Sequence, residues 1–108
     1  MTLQELKMAL DGIENVGHCY GYFPENQKAP YIAYMSVEKN VVHADGRVIY
    51  GEEWIELRLV TRHRDISLEM QVEKLLTDRG IAFDYPDYDI DETQRIHTAI
   101  YNFMLGTA

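Results

Sequence analysis

From Glu53 to Thr61 the apolar residues Ile55, Leu57 and Leu59 alternate with Glu56 and Arg58, and Trp54 falls on the charged side. This two-residue period predicts a strand with one dry and one wet face. Upstream the period is helical. Leu3, Leu6, Leu10 and Ile13 recur every three to four positions behind Thr2 and Glu5, which have capping-box spacing, and Gly12 stands near the expected stop. A second helix is predicted after Asp65, where Leu68, Val72, Leu75 and Leu76 form one stripe and Gly80 offers a left-handed terminator.

The remaining segments are β-prone. The run His18 to Phe23 is aromatic and closes at Pro24, a polar loop from Glu25 to Ala29 ends at Pro30, and Tyr31 to Met35 reads as a second strand. Val41-Val42-His43 and Val48-Ile49-Tyr50 flank Ala44-Asp45-Gly46-Arg47, whose Asp-Gly pair supplies the positive φ of a tight hairpin. Ile81 to Tyr85 and Arg95 to Leu105 read as two closing strands, with the acidic segment Pro86 to Glu92 as the turn between them.

Segregated strands and helices predict an α+β domain over residues 1–108, in the order α-β-β-(hairpin)-β-α-β-β. Two helices packed on one face of a small antiparallel or mixed sheet would bury the named stripes. Leu57, Leu59, Leu68, Val72, Leu75 and Leu76 are the expected core, with Trp54, Tyr101 and Phe103 expected on the opposite sheet face.

Composition narrows the function. Ten Lys and Arg against eighteen Asp and Glu give a formal charge of −8, a field that repels a phosphate backbone and argues against specific nucleic-acid binding. Cys19 is the single cysteine, so no internal disulfide is expected. No apolar run approaches the roughly 20 residues of a membrane helix, and the sequence reads as soluble and cytoplasmic, with no membrane partner.

Catalytic constellations are not expected. Asp87, Asp89 and Asp91 are spaced like the first ligands of a calcium loop, but Glu92 and Thr98 stand where that loop needs glycine and glutamate. His18 and Cys19 are strand neighbours and should point apart, which prevents a catalytic dyad. His43, His63 and His97 lack ligand spacing, and no phosphate-cradling or nucleophile motif occurs. Tyr20, Tyr22, Phe23, Tyr31 and Tyr34 could stack bases, yet without a basic groove they read better as protein-interface anchors. The expectation is a non-enzyme with no cofactor and no metal.

Several short signatures occur together: Tyr22-Phe23-Pro24-Glu25, Pro30-Tyr31-Ile32-Ala33-Tyr34, Ala44-Asp45-Gly46-Arg47-Val48, Glu56-Leu57, and Glu73-Lys74-Leu75-Leu76 with Gly80-Ile81. In this order, over nearly the whole chain, they resemble the tail-completion, or tail-to-head joining, proteins of long-tailed bacteriophages. The resemblance implies a virion structural protein at the tail–head junction, present in the host cytoplasm during assembly. Its partners would be further copies of itself in a hexameric ring, the tail tube protein and the head connector or head-completion protein. DNA would pass through such a ring without specific binding.

The hairpin residues Val41, Val42, His43, Asp45, Gly46, Arg47, Val48 and Tyr50 are the expected assembly element, because polar Glu38, Lys39 and Asn40 precede them and few large apolar residues tie them to a core. Other readings are a head-completion or neck adaptor protein, a small ferredoxin-like ligand-binding or enzymatic domain, and a regulatory domain that adds a peptide strand at an open edge.

Overall fold

The computed structural model describes residues 2–21 and 28–107. Seven elements follow one another: α1 (Leu3–Leu10), β1 (Gly17–Tyr20), β2 (Tyr31–Ala44), β3 (Arg47–Thr61), α2 (Ile66–Asp78), β4 (Asp87–Asp91) and β5 (Ile96–Thr107). The fold is α+β, as the sequence predicts, around one five-stranded mixed sheet in the order β1-β2-β3-β5-β4. Among the described strands, β1 and β2 alone run parallel; every other neighbouring pair is antiparallel.

The expected hairpin and the strands on either side of it are continuous. β2 and β3 are 14 and 15 residues long, and they pair from Tyr31↔Val60 to Ala44↔Arg47, with register shifts at Ser36/Glu38 and Val42/His43. At about 3.3 Å per residue such strands reach some 45–50 Å. The molecule accordingly measures 53 × 26 × 22 Å.

Both helices pack on one sheet face. Leu6 and Leu10 of α1, Val72, Leu75 and Leu76 of α2, and the inward residues Ile32, Tyr34, Ile55, Leu57, Leu59, Ala99, Tyr101, Phe103 and Leu105 form one buried cluster. Two of the expected core assignments change. Tyr101 and Phe103, expected on the opposite face, pair in register with Leu57 and Ile55 and so lie under the helices; of the three, Trp54 alone is on the face opposite the helices. The sequence misleads here because β5 is apolar on both parities, with Ile96, Ile100 and Met104 on one and Ala99, Tyr101 and Phe103 on the other. Leu68 is only partly buried, and Glu69 takes the inward position beside Val72.

Helix ends follow local chemistry. Thr2 Oγ1 accepts the Glu5 amide at 3.2 Å, and Asp65 Oδ1 accepts that of Leu68 at 3.1 Å. At the end of α2, Gly80 adopts φ +70° while Ile81 N–H reaches back to the Leu76 carbonyl at 2.9 Å. Buried Ile81 adds the apolar contact of a Schellman motif. Gly12 plays no such role after α1: the helix ends at Leu10, and Asn15 carries the positive φ of the following turns.

The chain's second half differs most from expectation. Residues 81–85 form a single bridge, Phe83↔Phe103, instead of a strand. The acidic segment expected to be a turn is itself β4, and the turn lies later, at residues 92–95. Asp-Tyr-Asp-Ile-Asp has the strand period, and an edge strand solvates its aspartates on every exposed side. The first strand stops at Tyr20, and the parts of its expected span at Tyr22 and Phe23 lie outside the described residues.

Candidate assembly surface

The β2–β3 hairpin outgrows the sheet. β5 flanks β3 only as far as the Gly51↔Thr107 pair, and β1 flanks β2 only from Tyr31 to Tyr34. Beyond Val41↔Gly51 the two strands therefore continue as a ribbon with no described strand on either side. At its tip Asp45 and Gly46 both have positive φ, 51° and 73°, between the paired Ala44 and Arg47. Two positive-φ residues are what a two-residue primed turn requires, and its twist matches that of the flanking strands.

Of the expected hairpin residues, Val41, His43, Asp45, Gly46 and Arg47 are exposed. The backbone places Val42, Val48 and Tyr50 in the same ribbon, while their side chains lie outside what is described. The hairpin residues are thus brought together along one projection, well away from the helix-covered core.

A second cluster joins α2 to the sheet. Glu69 is buried, accepts the Tyr88 hydroxyl and an Arg64 Nε–H at 3.2 Å, while Arg64 also donates to the Tyr88 oxygen at 3.3 Å. The Arg64 guanidinium lies 5.1 Å from the Tyr88 ring centre, and the His97 ring packs on the same tyrosine. One helical turn on, Glu73 accepts the Tyr101 hydroxyl at 3.1 Å. These contacts push both tyrosines above their usual range, Tyr88 mainly through its bond to Glu69 and Tyr101 mainly through burial. No residue of this cluster was singled out as a site. The available signal was Glu69 and Glu73, spaced four apart on α2 with tyrosines in the strands that follow.

The residues weighed for chemistry are dispersed. Asp87, Asp89 and Asp91 line one face of exposed β4, so the strand spreads their carboxylates out instead of folding them around a point. His18 Nε2 meets Asp11 Oδ1 at 2.6 Å, whereas Cys19, on the other face of β1, directs its thiol to the Tyr20 carbonyl. Tyr20 stands edge-on to Tyr34 at 5.6 Å, and its hydroxyl accepts the Ser36 amide. Among the described residues, every buried side-chain nitrogen or oxygen has a hydrogen-bond partner.

Two of the hollows that adjoin the sheet stand out by their position. The larger, about 560 Å³, runs beside β5 between Trp54, Met104, Phe83 and Ile81, with Arg79 and Asp84 at its margin. The smaller, about 190 Å³, lies on the sheet face opposite the helices, by Val60 and Thr98 and beside Glu56 and Arg58. Compared with known proteins, the chain matches no protein-family model and no curated sequence.

Proposed function

We propose that this chain is a virion structural protein, a tail-completion subunit that assembles as a ring, caps the phage tail tube and joins the tail to the head connector. Two things support the reading: the series of signatures that resembles that family over nearly the whole chain, and the ribbon of residues 41–51. The ribbon is the observation that carries most weight. Two strands alone are marginal in water, so a ribbon extended past its sheet is best explained by a neighbour that orders it. In a ring the neighbour is the next subunit or the tube.

The role is structural, with no turnover and no cofactor. The acidic balance suits a conduit through which DNA slides without sticking. Replacing residues 39–50 by a short Gly-Ser linker should leave the circular-dichroism spectrum of the helices and remaining sheet largely intact while abolishing ring formation or head attachment. Infectious particles at normal titre from the shortened chain would sink the reading. Binding of the intact chain to head connectors but not to tail tubes would move it to the head-completion class.

A further inference from the structure

Among the described residues, the hairpin half of the sheet has three strands, and neither outer one is flanked on its outer side at the same level. On β2, β1 ends at Tyr34 and the Ser36 amide is taken by the Tyr20 hydroxyl. From Val37 onward no described strand flanks that side. On β5, the Phe83↔Phe103 bridge is the last pairing on the outer side, so Met104 and Leu105 are flanked by β3 alone among the described residues. Trp54 fixes the level, since it pairs with Glu38 on one side and Met104 on the other.

The opposite half offers only short edges for strand addition. Its edges are the short strands β1 and β4, of four and five residues. β4 also presents exposed Asp87, Asp89 and Asp91, which would repel an approaching acidic chain. Charged residues on an edge discourage pairing; Met104 and Leu105 on β5 carry none, while the β2 edge carries Glu38 and Lys39, of opposite sign, beside the register shift at Ser36/Glu38.

We propose that copies of this chain associate head to tail, with the β2 edge of one copy, Val37 to Val41, adding to the β5 edge of the next at Met104 and Leu105. The inference deepens the ring reading above and rests on it for the biological setting. Val37 and Val41 are 55% and 45% exposed on the first edge. The hollow beside the second edge, about 560 Å³ and walled by Trp54, Ile81, Phe83 and Met104, has room for such side chains. Charge agrees as well: adjacent Glu38 and Lys39 on one edge face a margin that carries Arg79 and Asp84.

Because the two edges belong to opposite sides of one sheet, the contact is heterologous and leaves each copy with one unused edge of either kind. Such a contact propagates, and it closes as a ring where the rotation between copies allows. The twist of roughly 20–25° between neighbouring strands turns each copy relative to the last, which gives closure a geometric origin. Backbone hydrogen bonds supply affinity in strand addition, and the alternate side chains supply selectivity.

Cysteine cross-linking tests the pairing, with Cys19 replaced by serine throughout. Val37→Cys chains mixed with Ala82→Cys, Asn102→Cys or Met104→Cys chains, then oxidised with copper-phenanthroline, should give disulfide-linked dimers from at least one mixture. Val37→Cys alone should stay monomeric on a denaturing gel. Light scattering should find the wild type larger than a monomer, and Val37→Asp should shift it to monomer with an unchanged circular-dichroism spectrum. Dimers from Val37→Cys alone would mean two like edges pair, and overturn the proposal. So would an oligomeric wild type with no cross-link in any mixture, or a wild type that remains monomeric at every concentration, whether or not it captures an extended peptide. The virion reading fails by a different result, normal infectivity of the hairpin-shortened chain, which leaves the cross-linking outcome untouched.

Discussion

Tyr101 and Glu73 meet across the helix–sheet interface, a fully buried ring on β5 donating its hydroxyl to a carboxylate on α2 at 3.1 Å. Burial first, and the bond to Glu73 second, hold the Tyr101 hydroxyl above its ordinary value of 10.0. The folded hydroxyl therefore keeps its proton at pH values where the unfolded chain releases it. That contribution to stability is complete below about pH 10 and is lost as the pH rises further. Urea melts from pH 8 to pH 12 should show stability falling only in the alkaline part of the range, and Tyr101→Phe should flatten the fall. Tyr88, raised in the same direction, accounts for a remaining slope.

Leu76 and Leu68 lie two turns apart on α2 but should respond very differently to truncation. Leu76 is fully buried, and its replacement by alanine should cost about 2–5 kcal/mol in urea melts. Leu68 only borders the core, so the same change there should cost less than half as much. Equal losses at the two positions would contradict the way α2 is turned toward the sheet.

Glu69 ties the edge strand β4 to α2 through Tyr88, so Glu69→Ala should loosen β4 before anything else. The expected loss is about 1–2 kcal/mol, the size of a part-buried hydrogen-bonded group removed with its partners left in place. Amide exchange of residues 87–91 should accelerate in the variant, while that of β3 stays slow. Uniform acceleration across the sheet would show that the cluster supports the whole core.

Calcium should not matter to the fold. Asp87, Asp89 and Asp91 stand along an exposed strand, and among the described residues no group of three or more His, Cys, Asp or Glu is arranged to hold a metal ion. Dialysis against a chelator should leave the melting curve where it was. A large drop, restored by calcium, would reveal a site that this geometry does not predict.

Gly80 is the position on α2 where the backbone leaves no choice, with φ at +70° in the motif that turns the chain toward Ile81. Gly80→Ala should cost about 1–2 kcal/mol, the penalty for a side chain in a left-handed conformation, although open space surrounds the site. An unchanged midpoint would mean the turn relaxes to another form.

The elements legible in sequence were those with local causes. Asp65, the apolar stripe and Gly80 marked α2 because caps and terminators act through neighbouring residues, and Asp45-Gly46 marked the hairpin tip for the same reason. Strand β4 was not legible, since aspartate disfavours strands in general and only an edge position, a property of the whole sheet, tolerates three of them. The face on which Tyr101 sits was equally hidden, because β5 is apolar on both sides and the deciding partner, Glu73, lies 28 residues away. In the candidate site the turn was readable. The length of the ribbon was not, because it depends on where β1 and β5 stop beside β2 and β3.

The sheet order also constrains events in time. β5 lies between β3 and β4, yet it follows both in the chain, so the interior position beside β3 is the last to be synthesised. Until β5 arrives, β3 shows an unpaired side along Gly51–Thr61, and Tyr101, Phe103 and Leu105 are missing from the core. Sequence-distant pairings of this kind place folding toward the slower, milliseconds-to-seconds end for small domains. During synthesis the long β2–β3 ribbon would emerge well before the strand that covers it. Through that interval, the newborn chain would be most prone to join other copies wrongly along the very backbone that β5 later occupies.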